Sequence, residues 1–454
     1  MTYDLVVIGA GPGGFDAAVE AAGFGLSVAL VEKDFLGGTC LNRGCIPTKL
    51  WLGATSAIEE LHNQTRMKVA SGKVSVDFTG LQKRVQKHLA ATRKAMAMQI
   101  KKIGVDLVEG TGRLSGDHQV TVATADREQT LDYKKLVVAT GSKPIFFPGL
   151  EPDGQCVLDS DMFLSMESMP KSLIVVGAGF IGLEMAQVAH RFGSKITVVD
   201  AMDRVAPLED SEVSKALASM FKRWKWDIRL EERVAGVHTK DGKAELTFQT
   251  GDKLTADKAL VAVGRGPVTQ AIGLQMAGIE LVFNQIQVDD YLMAAPDIYA
   301  IGDANGHIQL AHAASHQAHY VARHAAGKTE GPYVCPPVPS VLYGAPEAMR
   351  VGMMEDEAFL ADFDTTEVSI AQLAANPMAQ AHAATQGFVK VVWSGGKVVG
   401  VTAVGHDVSR LVTPAAMIVQ QGWTVDDAHS IIFAHPSLDE SLLTALTAER
   451  RKIQ

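Results

Sequence analysis

A glycine-rich turn, followed at a fixed distance by an acidic residue, occurs twice in this 454-residue chain. The first copy consists of Gly9, Gly11, Gly14 and Glu32, and the second of Gly177, Gly179, Gly182 and Asp200. Each follows an apolar strand-like run, and the helix that begins there would offer N–H groups to a pyrophosphate while the acid accepts from a ribose. A single copy could be a mere tight turn. Two copies with an equal spacing of 23 positions predict two Rossmann-like dinucleotide-binding domains.

Length and composition restrict the class of protein. A chain of 454 residues predicts about three domains, and 47% hydrophobic with 20% charged residues is typical of a globular protein. The net charge of -9 argues against a nucleic-acid partner and against a basic membrane-surface protein. No apolar run is long enough to span a membrane, and the strand-like start does not resemble a targeting segment. We therefore expect a cytoplasmic protein.

Two dinucleotide sites in one chain indicate electron transfer between two cofactors, usually a bound flavin and a diffusible nicotinamide. Asp200 favours NAD over NADP, because a carboxylate accepts from a free 2′-hydroxyl and repels a 2′-phosphate. The segments 135–144 and 259–267 each resemble a buried strand that ends in a glycine turn. The segment 298–306 predicts a strand that carries Asp303 at its carboxyl end, where Asp303 could bind a ligand or only form a turn or cap.

The stretch GGTCLNRGCIPTK places Cys40 and Cys45 four residues apart. The pair could be a structural bridge, two metal ligands, two inert thiols or a redox couple. Zinc would need two more ligands with compatible spacing, and the other cysteines, Cys156 and Cys335, are isolated. Pro47 suits the first turn of a helix, so Cys45 would lie just before an N-terminus that favours a thiolate, with Lys49 adding positive charge.

This stretch resembles the redox motif of the flavin-dependent pyridine nucleotide–disulfide oxidoreductases, the glutathione reductase-like class. The resemblance continues through GAGFIGLE, VAVGRGP, IYAIGDANG, PSVLYGAPEAMRVG and FAHPSLDE in the family's order. It implies an α/β fold of two Rossmann-like FAD/NAD(P)-binding domains plus a C-terminal α+β dimerisation domain. The implied boundaries are 1–146 and 266–332 for the FAD domain, 147–265 for the NAD domain and 333–454 for the dimerisation domain.

The resemblance also implies a role for individual residues. Cys40 would exchange with the substrate disulfide, Cys45 would face the flavin, and Lys49 would lie near the flavin, paired with Glu184. One non-covalent FAD per subunit would be bound by Gly9, Gly11, Gly14, Glu32, Gly38, Thr39, Lys49, Gly112, Thr140, Gly141, Asp303, Leu310, Ala311 and His312. NAD⁺ or NADH would be bound by Gly177, Gly179, Ile181, Gly182, Glu184, Asp200, Gly264 and Arg265.

Near the C-terminus, AHPSLDE presents His435 before a helix predicted to begin at Pro436, with Glu440 in its first turn. Ser437 and Glu440 have the spacing of a capping box, which would give His435 no function. An imidazole oriented by a carboxylate would instead supply the base that thiol–disulfide exchange needs. The family uses a His–Glu pair at this spacing. The resemblance further implies that the pair serves the neighbouring subunit, so that a homodimer shares its active sites.

A second histidine-rich segment allows two interpretations. On a helix, His312, His316 and His319 would share one face, which is a pattern compatible with a metal site. The family packs a helix N-terminus against the flavin at this position. We therefore predict a structural or flavin-contact role and no metal site.

The resemblance is strongest to the branch of the family that oxidises dihydrolipoamide with NAD⁺. It implies a lipoyl-bearing protein of a 2-oxo-acid dehydrogenase or glycine-cleavage system as partner. One alternative is an NAD(P)H-dependent reductase of another low-molecular-weight disulfide, and a second is a mainly docking role in a multienzyme complex. Arg43, Thr48 and Gly344 depart from the family's pattern, and Arg43 beside the cysteine pair keeps a negatively charged thiol substrate open.

Overall fold

The structure is a computed structural model that describes residues 2–361 and 365–453. Over these residues the helices are α1 (Pro12–Gly23), α2 (Gly38–Arg43), α3 (Cys45–Arg66), α4 (Phe78–Ile103), α5 (Ser160–Leu164), α6 (Phe180–Arg191), α7 (Ser211–Arg223), α8 (Ala311–Ala325), α9 (Glu355–Leu360), α10 (Pro377–Ala381), α11 (Val412–Gln421), α12 (Val425–His429) and α13 (Asp439–Thr447). Short 3₁₀ turns occupy Leu274–Ala277, Gly302–Ala304, Leu373–Ala375 and Val408–Leu411.

The strands of the first half are β1 (Thr2–Ile8), β2 (Val28–Glu32), β3 (Asp106–Glu109), β4 (Thr111–Gly116), β5 (Gln119–Ala123), β6 (Glu128–Val138), β7 (Ser142–Pro144), β8 (Val157–Leu158), β9 (Ser172–Val176), β10 (Lys195–Val199) and β11 (Asp227–Arg229). Those of the second half are β12 (Val234–Lys240), β13 (Lys243–Phe248), β14 (Lys253–Ala256), β15 (Lys258–Val261), β16 (Arg265–Pro267), β17 (Leu281–Val282), β18 (Gln285–Ile286), β19 (Met293–Ala295), β20 (Ile298–Ala300), β21 (Ser340–Leu342), β22 (Glu347–Gly352), β23 (Thr366–Gln372), β24 (Phe388–Ser394), β25 (Lys397–Gly405) and β26 (Arg451–Lys452).

Backbone contacts divide the chain into two compact units. Unit 1 consists of Met1–Thr48, Gln82–Ile145 and Gly264–Val334. Unit 2 consists of Lys49–Leu81, Phe146–Val263 and Cys335–Gln454. Each unit contains one of the two glycine motifs, so the two predicted nucleotide sites are built on separate frameworks.

The main sheet of unit 1 has the order β19-β20-β6-β1-β2-β3, and β5 joins β6 to β4. Strand β1 lies parallel to both β2 and β6 at the centre. Its residues alternate between two buried faces: Leu5 and Val7 pack with Phe15 of α1, whereas Val6 and Ile8 pack on the side of β4 and β5. Because both faces are covered, the strand is a continuous apolar run, which is typical of parallel sheets.

Unit 2 contains a parallel sheet of order β11-β10-β9-β15-β8 and an antiparallel sheet of order β12-β13-β14. Their shared core includes Ile174, Val176 and Leu246. A third, antiparallel sheet of order β21-β22-β25-β24-β23-β26 forms the C-terminal region. The buried side chains Trp393 and Leu442 belong to its core.

The predicted fold class is confirmed: the chain combines two parallel, glycine-turn sheets with a C-terminal α+β region. The predicted helix from Pro436 is wrong, because α13 begins at Asp439. The carbonyl of Ser437 accepts from Asn376 and its amide donates to the Glu440 side chain, so its backbone groups are occupied outside the helix. The three domain boundaries stay a prediction. Among the described residues, no helix combines the length and the apolar character that a membrane crossing requires.

Candidate active site

The first glycine motif lies in unit 1, between β1 and α1. Gly9 has φ +102°, and a Cβ there would lie 2.3 Å from the carbonyl oxygen of Ala139. A Cβ at Gly14 would lie 1.8 Å from the carbonyl oxygen of Gly9. No other residue therefore fits either position. A Cβ at Gly11 would meet no atom within 4 Å, and no side chain caps the N-terminus of α1 beside it. Open space thus faces the backbone amides of this helix start.

Glu32 closes the first motif. One carboxylate oxygen accepts from the backbone N of Ala10 at 2.7 Å, and the other accepts from the backbone N of Asp34 at 2.8 Å. Burial raises the pKa of Glu32, and the backbone amides of Ala10 and Lys33, with the charges of Lys33 and Arg43, oppose that rise. The acid at the end of β2 is thus held against the glycine turn, where a ribose would lie.

The second glycine motif in unit 2 repeats this geometry. Gly177 has φ +108°, and a Cβ there would lie 2.3 Å from the carbonyl oxygen of Ala262. A Cβ at Gly182 would lie 2.2 Å from the carbonyl oxygen of Gly177, and one at Gly179 would meet nothing within 4 Å. Asp200 accepts from the backbone N of Ala178 at 2.6 Å, as Glu32 does from Ala10. The half-buried Ile181 lies in the first turn of α6.

Further predicted flavin contacts lie in unit 1. A Cβ at Gly38 would lie 2.7 Å from the Cα of Gly11, so the turn before α2 packs directly on the first glycine motif, next to Thr39. Thr140 Oγ1 donates to the carbonyl of Val268 at 2.6 Å. Gly141, with φ +69°, continues that turn. Gly112 lies on β4 against β2, where a Cβ would be 3.1 Å from a Val31 methyl group.

Asp303 is part of a polar chain in the same unit. Ser142 Oγ donates to its carboxylate, and the guanidinium of Arg265 donates to the hydroxyl of Ser142 at 2.9 Å and to its carbonyl at 2.8 Å. Leu310 precedes α8 without a side-chain cap, and Ala311 and His312 form its first residues. Arg265 and Gly264, predicted as NAD contacts, thus lie in unit 1 rather than with the second glycine motif.

The two cysteines of interest lie on consecutive helices. Cys40 is half-buried within α2, and Cys45 is the first residue of α3 and exposed. Gly44 separates the helices, and its carbonyl accepts from Thr48 Oγ1 at 2.7 Å. Pro47 falls in the first turn of α3, as the sequence predicted. A helix start at Cys45 favours the thiolate form of that residue.

Lys49, the fifth residue of α3, forms the central ion pair of unit 2. Its Nζ donates to Glu184 Oε2 at 2.7 Å, and the side chain of Glu184 is only 6% exposed. The backbone N of Tyr343 donates to the other carboxylate oxygen at 3.0 Å, and the Tyr343 ring lies 4.7 Å from Lys49 Nζ. Burial raises the pKa of Glu184, against the effect of Lys49 and the Tyr343 amide.

His435 and Glu440 are in direct contact in unit 2. His435 Nδ1 lies 2.9 Å from Glu440 Oε1, and the imidazole is 73% exposed. The second oxygen of Glu440 accepts from the backbone N of Ser437 at 2.9 Å. These two hydrogen bonds, that of His435 first, lower the pKa of Glu440. Ser437 Oγ is buried without a partner, so only half of the expected capping box forms and Glu440 also orients His435.

Comparison with known families matches residues 3–318 to the pyridine nucleotide-disulphide oxidoreductases and residues 338–446 to the dimerisation domain of that group. The chain belongs to this family. Dihydrolipoyl dehydrogenase of Chlorobaculum tepidum is 36% identical to it, over 98% of this chain and 96% of that protein. Dihydrolipoyl dehydrogenase of Bacillus subtilis is 34% identical, over 97% of each chain.

Solved structures of similar architecture agree with this assignment. LpdA from Mycobacterium tuberculosis is 28% identical with a TM-score of 0.90, covering 98% of this chain and 99% of that chain. The HOCl-induced flavoprotein disulfide reductase RclA from Escherichia coli is 26% identical with a TM-score of 0.86, at the same coverage. The matched dimerisation domain supports a homodimer.

Membership of the pyridine nucleotide-disulphide oxidoreductases implies FAD and NAD(P). The residues present fit two such nucleotides. Gly11 and Gly179 each leave open space beside a helix N-terminus that no side chain caps. A pyrophosphate placed there would accept from the first backbone N–H groups of α1 and α6. Glu32 and Asp200 lie in equivalent positions beside the two turns.

Two departures from the family's pattern have a structural setting. Arg43 forms an ion pair with Asp34 at the surface of unit 1, so its charge already has an acidic partner. Gly344 has φ +145°, and a Cβ there would lie 2.2 Å from Gln187 Oε1. Gln187 is fully buried and accepts from the backbone N of Ala345 at 2.8 Å, so its position requires glycine at 344. Nothing in the structure explains threonine at position 48.

The histidines of α8 do not form a common cluster among the described residues. His316 contacts the hydroxyl of Tyr333 at 3.0 Å, and His319 forms an ion pair with Glu20 of α1.

Sequence reasoning did not identify Ser142 or Tyr343 as site residues. For Tyr343 the signal was its place in PSVLYGAPEAMRVG. For Ser142 it was its place directly after the Gly141 turn.

Proposed function

We propose that this oxidoreductase converts dihydrolipoamide, carried by a lipoyl protein, to lipoamide and reduces NAD⁺ to NADH. The observation that carries the proposal is the exposed His435–Glu440 pair, 2.9 Å apart, in a chain that matches proteins named dihydrolipoyl dehydrogenase over nearly its full length. A base that is open to solvent suits a substrate presented by another protein. In the balanced reaction the dithiol loses two electrons and two protons: the two electrons and one proton reach NAD⁺ as a hydride, and the other proton is released.

The chemistry of the base follows from its contact with Glu440. A carboxylate only accepts hydrogen bonds, so it keeps the proton of the imidazole on Nδ1. The other ring nitrogen, Nε2, then has a free lone pair and can take a proton from a substrate thiol. Glu440 would also stabilise the imidazolium that results. His435 therefore has the orientation and the tautomer that a general base requires.

The cysteine pair would carry out the exchange. A substrate thiolate attacks Sγ of Cys40 in the Cys40–Cys45 disulfide, a substrate–Cys40 disulfide forms, and Cys45 leaves as a thiolate. The second substrate thiolate then attacks the bound substrate sulfur, which releases the cyclic disulfide and frees Cys40. The start of α3 stabilises the Cys45 thiolate, because the helix N-terminus is positive.

When bound, FAD carries the two electrons from the cysteine pair to the nicotinamide. We assign one non-covalent FAD per subunit to the glycine motif with Glu32, and NAD⁺ to the motif with Asp200. A carboxylate already bonded to Ala178 N favours a free 2′-hydroxyl over a 2′-phosphate. The Lys49–Glu184 pair would hold a fixed positive charge near the flavin.

The dimer would complete each active site. We propose that the His435–Glu440 pair of one subunit serves the cysteine pair of the other, which makes the homodimer obligatory for turnover. The partner is then the lipoyl-bearing protein of a 2-oxo-acid dehydrogenase or glycine-cleavage system. A cytoplasmic location fits, since a reducing compartment keeps such a thiol pair reactive.

The test compares substrates on the FAD-loaded homodimer. We expect fast NAD⁺ reduction by dihydrolipoamide, and in reverse a preference for lipoamide with NADH over glutathione disulfide or coenzyme A disulfide with NADPH. A preference for one of the other disulfides would favour the alternative reductase. Absence of turnover with every pair would favour a docking role and contradict the catalytic proposal.

A further inference from the structure

Three potential metal ligands, distant in sequence, meet in unit 2. Glu60 lies on α3, His382 follows α10, and His406 follows β25. One ligand atom from each lies within 4.8 Å of the other two. Among residues 2–361 and 365–453 this is the only group of three such side chains. None of the three has a role in the proposed thiol chemistry.

The contacts within this cluster are open enough for an ion. His382 Nδ1 lies 3.6 Å from Glu60 Oε1, which is longer than a strong hydrogen bond. The ring centroids of His382 and His406 are 5.2 Å apart, with 39° between the planes, so the rings do not stack closely. The side chains are 42%, 41% and 24% exposed in the order Glu60, His382, His406. An ion can therefore enter from solvent.

Neighbouring groups hold the ligands in place. Gln64, one turn further along α3, donates from Nε2 to Glu60 Oε1 at 2.9 Å. The guanidinium of Arg66 donates to the carbonyl of Ala383, which fastens the end of α3 to the residue after His382. The carboxylate of Asp407 lies 3.7 Å from His406 Nε2. Outer carboxylates and amides of this kind orient the ligands of metal sites.

We propose that Glu60, His382 and His406 form a binding site for a divalent transition-metal ion. Imidazole nitrogens suit zinc, copper, nickel and iron, whereas magnesium and calcium prefer oxygen ligands alone. Two imidazoles and one carboxylate provide three ligands and leave a position for water. Sequence spacing does not indicate this site, because its ligands lie on three separate segments.

The bound ion would cross-link α3 to the C-terminal antiparallel sheet of unit 2. Without it, the hydrogen bond from Arg66 to the carbonyl of Ala383 and the looser Glu60–His382 contact link these two segments. A ligand that binds only the folded chain raises its resistance to unfolding. We therefore expect the ion to stabilise the protein against heat and to leave the rate of dihydrolipoamide oxidation unchanged.

The test uses the oxidised, FAD-loaded enzyme, in which the cysteine pair is a disulfide and cannot bind metal as thiolates. After dialysis against zinc chloride, wild type should retain one Zn(II) per subunit. His382→Gln, His406→Gln and Glu60→Gln should each bind Zn(II) at least about tenfold more weakly, the effect of losing even an outer partner. The FAD content and the metal-free melting temperature of each variant are first checked against those of wild type. Because three variants are tested, the result does not depend on the folding of any single one.

His238→Gln is the matched control. His238 is 57% exposed and lies 3.8 Å from Glu245, so it forms a similar His–Glu pair without a third ligand. Zinc should raise the melting temperature of wild type and of His238→Gln, but not that of His382→Gln. Failure of wild type to bind Zn(II), or equal binding by the His382 and His406 variants, would overturn the assignment. Binding that is lost only on Cys45→Ser would overturn it as well.

Discussion

Lys49 Nζ lies 2.7 Å from Glu184 Oε2, and this ion pair joins the fifth residue of α3 to the fifth residue of α6 in unit 2. The carboxylate is almost fully enclosed, whereas the lysine is 35% exposed. Tyr343 completes the arrangement through its amide and its ring. The helix that begins at Cys45 is thereby fastened to the helix of the second glycine motif through a charged contact.

Lys49→Met should destabilise the protein more than Glu184→Gln. The methionine leaves a buried carboxylate that accepts from the Tyr343 amide without the lysine charge, which costs about 1.5–3 kcal/mol of unfolding free energy. In Glu184→Gln the partly exposed Lys49 can still reach water. Thermal unfolding of both single variants and of Lys49→Met/Glu184→Gln measures the coupling. Additive effects of the two changes would show that the pair contributes nothing.

His435→Gln should lower the rate of dihydrolipoamide oxidation by about 10²–10⁴, the usual contribution of a general base. The KM for NAD⁺ should change little, because the base does not contact the nucleotide. His429→Gln, at an exposed histidine that ends α12, is the control and should retain full turnover. Steady-state kinetics check both. If His435→Gln lowered the rate only slightly, His435 would not be the base, and the functional contact of Glu440 would be its hydrogen bond from the Ser437 amide.

Asp200→Asn should shift nucleotide preference towards NADPH. The amide oxygen can still accept from Ala178 N, whereas the amide nitrogen replaces the oxygen that accepts from Met202 N at 2.8 Å, so the change removes the charge and loses one of the two hydrogen bonds. We expect the ratio of kcat/KM for NADPH to that for NADH to rise about tenfold or more, since hydrogen bonds to charged groups contribute about 1.5–3 kcal/mol. Glu32→Gln, the equivalent change in the other motif, should leave this ratio unchanged and weaken FAD retention. If Glu32→Gln instead changed the nucleotide preference and Asp200→Asn weakened FAD retention, FAD and NAD would have to be assigned to the opposite motifs.

Glu347→Gln should make stability less dependent on pH. Burial raises the pKa of Glu347 to about 7, against the hydrogen bond from Ser409. Below the ordinary glutamate pKa this carboxyl is protonated, and its contribution to the free energy of unfolding is fully present. That contribution is lost as the pH rises through about 7, because the buried carboxyl must then become charged. The amide resembles the protonated form, so at about pH 8 the variant should be more stable by up to about 2–3 kcal/mol. Melting temperatures between about pH 5 and pH 8 test this.

Glu449→Gln, at an exposed glutamate, is the control for that experiment and should follow wild type across the same pH range. If the melting temperature of Glu347→Gln has the same pH dependence as that of wild type, ionisation of Glu347 at neutral pH does not destabilise the folded protein.

The sequence predicted the features that depend on neighbouring residues. The strand–glycine–helix order predicts β1, α1 and the place of Glu32, because Gly14 packs on Gly9 within the same turn, although the carbonyl that closes the space at Gly9 belongs to the distant Ala139. The Rossmann-like architecture follows from the repetition of this pattern. Pro47 predicted a helix start just after Cys45, and α3 begins at Cys45 itself.

Contacts between distant segments could not be derived from the residues in the same way. The pairing of Lys49 with Glu184 was inferred from the family, and the contribution of Tyr343 was not inferred at all. The cluster of Glu60, His382 and His406 depends on how three segments pack, for which sequence spacing carries no signal. At Ser437 the predicted capping box competes with Asn376, which binds the carbonyl of Ser437 and delays the helix.

The most direct test of the cysteine relay compares two activities of Cys40→Ser and Cys45→Ser, each loaded with FAD. One is NAD⁺ reduction by dihydrolipoamide, which requires both thiols. The other is oxidation of NADH by a dye such as dichlorophenolindophenol, which needs only the two nucleotide sites. We predict that both variants lose the first activity almost completely and keep the second. Dihydrolipoamide oxidation that persists in either variant would contradict the central claim.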